Sequence, residues 1–258
     1  LLQRQQTSDL ITQTQDRLAR GNRVNSALDN PINYFTAQNL TGRANDLNAL
    51  LDSMSTAINT IQAANNGITS ITKLVQSAQS IVNQAQQTTD TTIRANLATQ
   101  YDQIRSQIDQ LAQDSGINGI NLLNGDTLTV TMNETGTSKV SVVGVTDLTS
   151  GAVAINASAN NWSGATDISA ASTQLTAALT TLRSQSQGLS ANLQTVQVRQ
   201  DFTKSMISTL QTGADNLTLA DSNEEGANLL ALQTRQQLST TALSLAAQAD
   251  QNVLRLFQ

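Results

Sequence analysis

The sequence predicts a mainly α-helical protein, in which segments from both ends form an elongated antiparallel bundle or coiled coil and a small β-rich insert lies at the tip. Three observations lead to this prediction. Apolar residues recur at heptad spacing in two long stretches, one on each side of the middle. Pro31 is the only proline, so no proline interrupts a helix after that point. Between the two stretches, short runs alternate apolar and polar residues as strands do.

The later stretch has the clearest periodicity. Seven-residue steps from residue 175 meet an apolar residue at six of seven positions, and Thr203 is the exception. A helix of this pattern buries one narrow face against a partner helix. The seven positions are Leu175, Leu182, Leu189, Val196, Thr203, Leu210 and Leu217.

The earlier stretch predicts a second long helix. Steps of four and three residues from 47 to 82 meet an apolar residue at eight of eleven positions. The polar run at 86–90 predicts that this helix ends there, and Thr91 or Thr92 is expected to cap a further helix that continues past residue 111. The positions in the first of these helices are Leu47, Leu51, Met54, Ile58, Ile61, Asn65, Ile68, Thr72, Val75, Gln79 and Val82.

Glycine and proline residues mark the predicted boundaries of the remaining helices and strands. Residues 1–30 are helix-prone, with a break at Gly21 and a stop at Asn30-Pro31. Alternation predicts three short strands, at 128–132, 140–142 and 152–155. Helix is expected to return near Asp167 and to run to the end, with a break between Gly213 and Gly226.

Composition argues against an enzyme and against several kinds of binding protein. The chain has no histidine, the commonest general base, and no cysteine, which excludes thiol chemistry and zinc–thiolate sites. Its arginines and lysines are scattered and form no basic patch for nucleic acid. The sequence contains no run of about 18 apolar residues, the length that is needed to span a bilayer. We therefore expect no catalytic residue, cofactor, metal, nucleic-acid partner or membrane span.

Several strings match one protein family. Residues 17–30 read RLARGNRVNSALDN and closely resemble the amino-terminal signature of bacterial flagellins, RLxxGxRINSAxDD. Residues 118–123 read NGINLL, similar to the NGxxLL turn that follows the second helix in that family. Near the carboxyl end, Val198-Arg199, Asn216-Leu217 and the string QADQNVLRL at 248–256 also resemble flagellin.

This resemblance implies a structural subunit that polymerises head-to-tail into the extracellular bacterial flagellar filament used for swimming. The implied partners are further copies of the chain, the export machinery with its chaperone, and the cap and hook-associated proteins. The chain begins with Leu1 rather than methionine, so we expect the amino part of the inner tube to be incomplete. The implied regions are inner-tube helices at 1–13 and 222–258, a spoke at 14–37, a helical bundle at 38–126 and 171–215, and a variable β-rich outer insert at 127–170.

The candidate assembly residues begin with the signature string. We expect Gly21 to allow a sharp backbone bend, Arg17 and Arg23 to make charged contacts, and Asn25 and Asp29 to cap local turns. Ordinary helix-end chemistry is an equally good explanation for each of them.

Other candidates come from the last helix and from the remaining matched strings. Leu238, Leu245 and Leu256 lie on one apolar stripe of the last helix, which predicts a face in need of partners. Leu18, Asn118, Gly119 and Arg199 complete the set.

One stretch departs from the family. Residues 75–85 read VQSAQSIVNQA where many flagellins read LQRVRELAVQA, so Ser77, Gln79 and Ser80 replace two arginines and a glutamate. In the family, that charged face binds the flagellin-sensing Toll-like receptor of animals. Because charged anchors are typical hot spots, the resemblance implies weak receptor binding here.

Two alternatives to a filament subunit stay open at this point. A hook–filament junction protein shares the helical plan but usually departs more from the signature strings. A cell-surface flagellin-like protein could instead bind polysaccharide or a surface glycan through polar faces and Trp162, the single tryptophan.

Overall fold

The structure is a computed structural model that describes residues 2–145, 150 and 153–256, except the side chains of residues 2, 250 and 252–256. Within that part the chain is mainly α-helical with one small antiparallel hairpin, so the predicted fold class is confirmed. The elements are α1 (Leu2–Arg20), α2 (Pro31–Gln87), α3 (Thr91–Asp114), β1 (Thr127–Thr131), β2 (Lys139–Val143), a 3₁₀ turn (Asn160–Trp162), α4 (Ala165–Thr218) and α5 (Ser222–Leu256).

The chain divides into two compact units. Residues 1–44 and 207–258 form one, which we call the terminal unit, and residues 45–206 form the other, the central unit. In the terminal unit, α1 packs against α5. The hydrophobic core formed by residues 54–196 belongs to the central unit.

The core of the central unit follows the heptad positions. On α4, Leu175, Leu182, Leu189 and Val196 are buried, and so is Thr203, whose hydroxyl donates to the Arg199 carbonyl at 2.9 Å. On α2, the heptad positions from residue 54 that carry isoleucine, methionine or valine are fully or largely buried. The period in the sequence therefore predicted the seam that these helices share with the rest of the core. The buried α2 members are Met54, Ile61, Ile68, Val75 and Val82.

The hairpin buries one face. Strands β1 and β2 pair antiparallel, with Leu128 opposite Val142 and Val130 opposite Val140. Leu128, Val130 and Val142 are buried, whereas Thr129 opposite Ser141 is exposed, as alternation requires. The prediction of strands near 128–132 and 140–142 is confirmed. The third predicted strand is wrong over its described residues, because Val153 and Ala154 form a turn; residue 152 lies outside the described residues.

Trp162 is a core residue. Its ring is fully buried and lies 5.0 Å from the Tyr101 ring, centroid to centroid. Asn160, Asn161 and Trp162 all have φ near +50°, a left-handed turn that only close packing keeps in place for residues other than glycine. The burial of Trp162 removes the aromatic surface on which a sugar could stack.

The helix ends correct two predictions. Asp90, not Thr91 or Thr92, caps α3, and its carboxylate accepts from the backbone amides of Thr92 at 2.8 Å and Ile93 at 3.2 Å. A carboxylate has the further advantage of opposing the positive end of the helix dipole. The break in the carboxyl-terminal half is also shorter than predicted, because α4 continues to Thr218 and α5 begins at Ser222.

Candidate assembly surface

The pairing of α1 with α5 brings opposite charges together. Arg17 lies in the last turn of α1 and Glu225 in the first turn of α5, and their Nη1 and Oε1 atoms are 3.4 Å apart. Glu225 is buried, with 7% of its surface exposed. Each charge also faces the favourable end of its own helix dipole. The ion pair therefore fixes how α1 lies along α5.

The segment after α1 makes a bend and then pairs with the α4–α5 junction. Gly21 has φ of +70°, a left-handed conformation that ends a helix at low cost only for glycine. Its carbonyl accepts from the Ala220 amide at 3.0 Å, and the Arg23 amide donates to the Thr218 carbonyl at 2.7 Å. The bend at Gly21 is as predicted, while Arg23 contributes mainly through its backbone and one long 3.5 Å contact to the Leu217 carbonyl.

Asp29 closes a tight turn in the same segment. Its carboxylate accepts from the backbone amides of Asn25 at 3.0 Å and Ser26 at 2.9 Å, and from the Ser26 hydroxyl at 3.2 Å. These bonds, first that from the Asn25 amide and then that from the Ser26 amide, hold the pKa of Asp29 below its usual range. The Asn25 side-chain amide donates to the Asn22 carbonyl at 3.4 Å. Both residues thus organise the turn locally.

From Leu230 onwards, α5 carries leucines that the described chain leaves more than half exposed. Leu230 is 66% exposed, Leu238 66%, Leu243 52% and Leu245 60%. Leu230, Leu238 and Leu245 lie within about 80° of one another around the helix, and we call these three leucines the α5 surface, whereas Leu243 lies on the opposite side. On α1, Leu18 is 39% exposed. The side chain of Leu256, the last residue of α5, lies outside the described residues.

The other predicted residues belong to the central unit. Asn118 and Gly119, with φ of 52° and 79°, form an exposed two-residue turn closed by reciprocal 3.0 Å backbone bonds between Ile117 and Ile120. Arg199 is exposed on α4. The structure therefore places Arg17, Gly21, Arg23, Asn25 and Asp29 in one neighbourhood, and Asn118, Gly119 and Arg199 elsewhere.

The sequence analysis missed two contributors, Glu225 and Leu230. Nothing local to Glu225 indicates its distant partner Arg17. Leu230 lies beside the stripe that was followed from Leu238, so a wider apolar arc on α5 would have been the signal.

The described residues contain no group of three or more acidic side chains placed to hold a metal ion. Across the same part of the chain, no helix is both long and apolar enough to cross a bilayer. Helix α5 is paired with α1 along one side and is apolar on another side that stays uncovered. This arrangement defines a class of helical proteins that associate with further copies of themselves.

The comparisons with known proteins specify that class. Residues 2–127 match the family described as bacterial flagellin N-terminal helical region. The chain is 31% identical to flagellin FljM of Caulobacter vibrioides, covering 98% of this chain and 92% of the relative, and 28% identical to a Brucella melitensis flagellin, covering 98% and 93%. A crystal structure of Bacillus cereus flagellin matches at a TM-score of 0.42 and 16% identity, covering 67% of this chain and 93% of that one, too low a similarity to support a further conclusion.

This chain belongs to the bacterial flagellin family. It is a structural subunit of the flagellar filament, the extracellular part of the flagellum, and it assembles with copies of itself.

Proposed function

We propose that the α5 surface is a principal contact through which copies of this chain polymerise head-to-tail. The observation that carries the proposal is the exposure of three leucines on one side of a helix already paired with α1. Burying a leucine fully is worth about 1.5–3 kcal/mol, so covering three that are roughly 60% exposed would contribute about 3–5 kcal/mol to assembly. Polymerisation gives these side chains apolar partners.

Substitution of exposed residues tests the proposal without disturbing the monomer. We expect Leu238→Ser with Leu245→Ser to leave monomer helicity unchanged and to abolish the growth of filaments from seeds in sedimentation and electron microscopy. The matched control changes the exposed polar neighbours Gln237→Ser and Ser244→Ala on the same helix. Normal growth of the Leu238/Leu245 variant would refute this role of the α5 surface.

The regions implied by the family sequence fit the proposal. The α5 surface suits an inner tube built from 1–13 and 222–258, and the bend and tight turn suit a spoke at 14–37. The heptad seam suits a bundle built from 38–126 and 171–215, and the polar outer face of the hairpin suits a solvent-facing insert at 127–170. Cysteine labelling of assembled filaments tests the arrangement: Lys139→Cys in the insert should react, and Leu245→Cys in the tube should not.

An uncovered apolar helix also requires handling before assembly. We propose that the chain is secreted by the flagellar export machinery, with a chaperone covering the α5 surface beforehand. Assembly should also involve the cap and hook-associated proteins at the two ends of the filament. Loss of chaperone binding in the Leu238/Leu245 serine variant, but not in the Gln237/Ser244 control, is the expected result of a binding titration.

We propose no enzymatic role, because histidine and cysteine are absent and the chain belongs to a family of structural proteins. Binding to the animal flagellin-sensing Toll-like receptor should be weak. Ser77 and Ser80 are exposed on α2 and Gln79 is half-buried, so these three positions offer hydroxyl and amide groups in place of charged side chains. Nanomolar potency in a receptor reporter-cell assay would contradict this proposal.

A glycan is a weaker candidate partner. Residues 156–158 read Asn-Ala-Ser, an N-glycosylation sequon, but the Ser158 hydroxyl is engaged because it donates to Asp102 at 2.6 Å. With Trp162 buried, no observation favours the polysaccharide-binding or hook-junction alternatives. Thr135 and Thr137 are exposed at the hairpin turn, and intact-mass measurement would detect a hydroxyl-linked sugar on either of them.

A further inference from the structure

The described residues expose several large apolar side chains besides the α5 surface. Some are separated from one another along the chain: Leu10, Leu18, Ile93, Val143 and Leu219. Two sets of neighbouring residues, in contrast, form apolar patches that have no role in the contacts described so far. Leu28, Ile32 and Phe35 form the first, which we call the Leu28 patch, and Val198 and Phe202 form the second, the Phe202 patch.

The side chains of the Leu28 patch project from ordered parts of the chain. Leu28 is 96% exposed, Ile32 77% and Phe35 57%. Ile32 and Phe35 are three residues apart on α2 and therefore lie on one side of the helix. Leu28 is presented by the turn that the Asp29 carboxylate closes. The Phe35 ring contacts the Tyr34 ring edge-to-face at 5.5 Å between centroids, which restricts its motion before any partner arrives.

The Phe202 patch resembles the Leu28 patch in the type of side chain that it exposes. Val198 is 62% exposed and Phe202 is 55% exposed, and the two lie four residues apart on one side of α4. Their buried neighbours Val196 and Thr203 fix the orientation of this part of the helix, so the patch faces away from the core. Each patch thus combines one aromatic ring with aliphatic side chains.

We propose that the Leu28 patch of one subunit packs against the Phe202 patch of a neighbouring subunit in the filament. This inference rests on the proposed head-to-tail polymerisation. A contact that generates a filament must join two different surfaces of the same chain, whereas a two-fold dimer joins a surface to itself. Two unlike apolar patches on one chain meet that requirement.

The size of the patches favours a second copy within a polymer over a separate partner. Together the two patches expose on the order of 600 Å² of apolar surface, since a large aromatic side chain buries about 150–250 Å² in full. A stable specific pair of proteins buries roughly 1,200–2,000 Å². The contact is therefore too small to hold two free chains, and it forms where the α5 surface already holds the copies together.

The first test uses the critical concentration for filament growth. Phe202→Ser and Leu28→Ser change exposed residues, so circular dichroism of the monomers should match the unmodified chain. We expect each substitution to raise the critical concentration about tenfold, as for a moderate interface contact. Because both substitutions remove the same contact, the critical concentration of the double variant should resemble that of either single variant. The proposal would be overturned if the two increases multiplied in the double variant, or if neither substitution changed the critical concentration.

The second test uses the absence of native cysteine. Filaments of an Ile32→Cys/Phe202→Cys chain should give a ladder of cross-linked oligomers on oxidation, and an equimolar copolymer of the two single variants should give dimers only. Lys139→Cys/Phe202→Cys is the control that should stay uncross-linked. Self-cross-linking of either single variant, or intact filaments of the double variant without a ladder, would refute this contact while leaving polymerisation itself established. Failure of the unmodified chain to polymerise would instead refute the proposed function.

Discussion

Gly67 provides the sharpest test of the packing within the central unit. It lies inside α2 and is buried where the end of α3 crosses it. A Cβ at this position would overlap the Ser115 hydroxyl, and it would lie 2.9 Å from the Ser115 Cβ and 2.7 Å from the Leu123 Cδ1. Ser115 cannot yield easily, because its hydroxyl donates to the Leu111 carbonyl at 2.6 Å. We therefore predict that Gly67→Ala destabilises the chain.

Two effects of opposite sign determine how much Gly67→Ala changes the free energy of unfolding. Alanine in place of glycine in a helix interior stabilises by about 0.5–1 kcal/mol, because glycine loses more backbone entropy on folding. Overpacking a tight core site costs about 1–3 kcal/mol. Since the overlap involves backbone-proximal atoms of Ser115 and not only the flexible end of Leu123, the steric cost should dominate. The expected net loss in free energy of unfolding is about 1–2 kcal/mol.

The assay is chemical denaturation of the monomer followed by circular dichroism. The matched control is Gly188→Ala in α4 of the same unit, where a Cβ meets nothing within 4 Å and a gain of about 0.5–1 kcal/mol is expected. Adding Ser115→Gly to Gly67→Ala removes the overlapping atoms and should recover part of the loss. If Gly67→Ala stabilised the chain as much as Gly188→Ala does, the close approach of α3 to α2 would be wrong.

Three further results are expected. Arg17→Gln leaves the buried Glu225 carboxylate without its ion pair, which should cost about 1–3 kcal/mol and speed hydrogen exchange of the first-turn amides of α5; unchanged exchange would contradict the α1–α5 register. Burial raises the pKa of Tyr101 to about 12, so its contribution to stability is complete below pH 10 and is lost as pH rises towards 12; Tyr101→Phe should flatten the alkaline denaturation profile between these values. The pKa of Asp29 is lowered, so its contribution to stability is present above the ordinary aspartate pKa and is lost as pH falls through the lower folded value. Acid unfolding of the turn should therefore disappear in Asp29→Asn. An identical acid profile in that variant would refute the role of the turn.

Periodic features of the fold could be predicted from the sequence because their causes are local. The heptad steps from Leu175 identified residues that are buried on α4. Gly21 was identified as a bend for the same kind of reason, since a left-handed residue at a helix end favours glycine. In each case the chain within a few positions decides the conformation.

Features that depend on distant residues could not be predicted. No pattern near Glu225 indicates Arg17, because the two are separated by most of the chain and meet only when α1 pairs with α5. Trp162 was open to interpretation as a sugar-stacking ring, and only its burial against Tyr101 shows that it is a packing residue. The Thr91 or Thr92 cap failed for a smaller reason: Asp90, one residue earlier, is the better acceptor.

The polar exceptions in the heptad pattern show how a sequence rich in amides and hydroxyls builds a specific seam. Asn65 takes an apolar position on α2, yet its side chain contacts the Ser186 and Ser190 hydroxyls of α4, each at 3.4 Å. An apolar side chain there would pack equally well at several registers, whereas these paired groups are satisfied at one register only. Gln200 and Ser55 make a similar contact at 2.9 Å. The leucines and isoleucines therefore supply the stability of the seam, and the polar pairs select which residues of the two helices lie opposite each other.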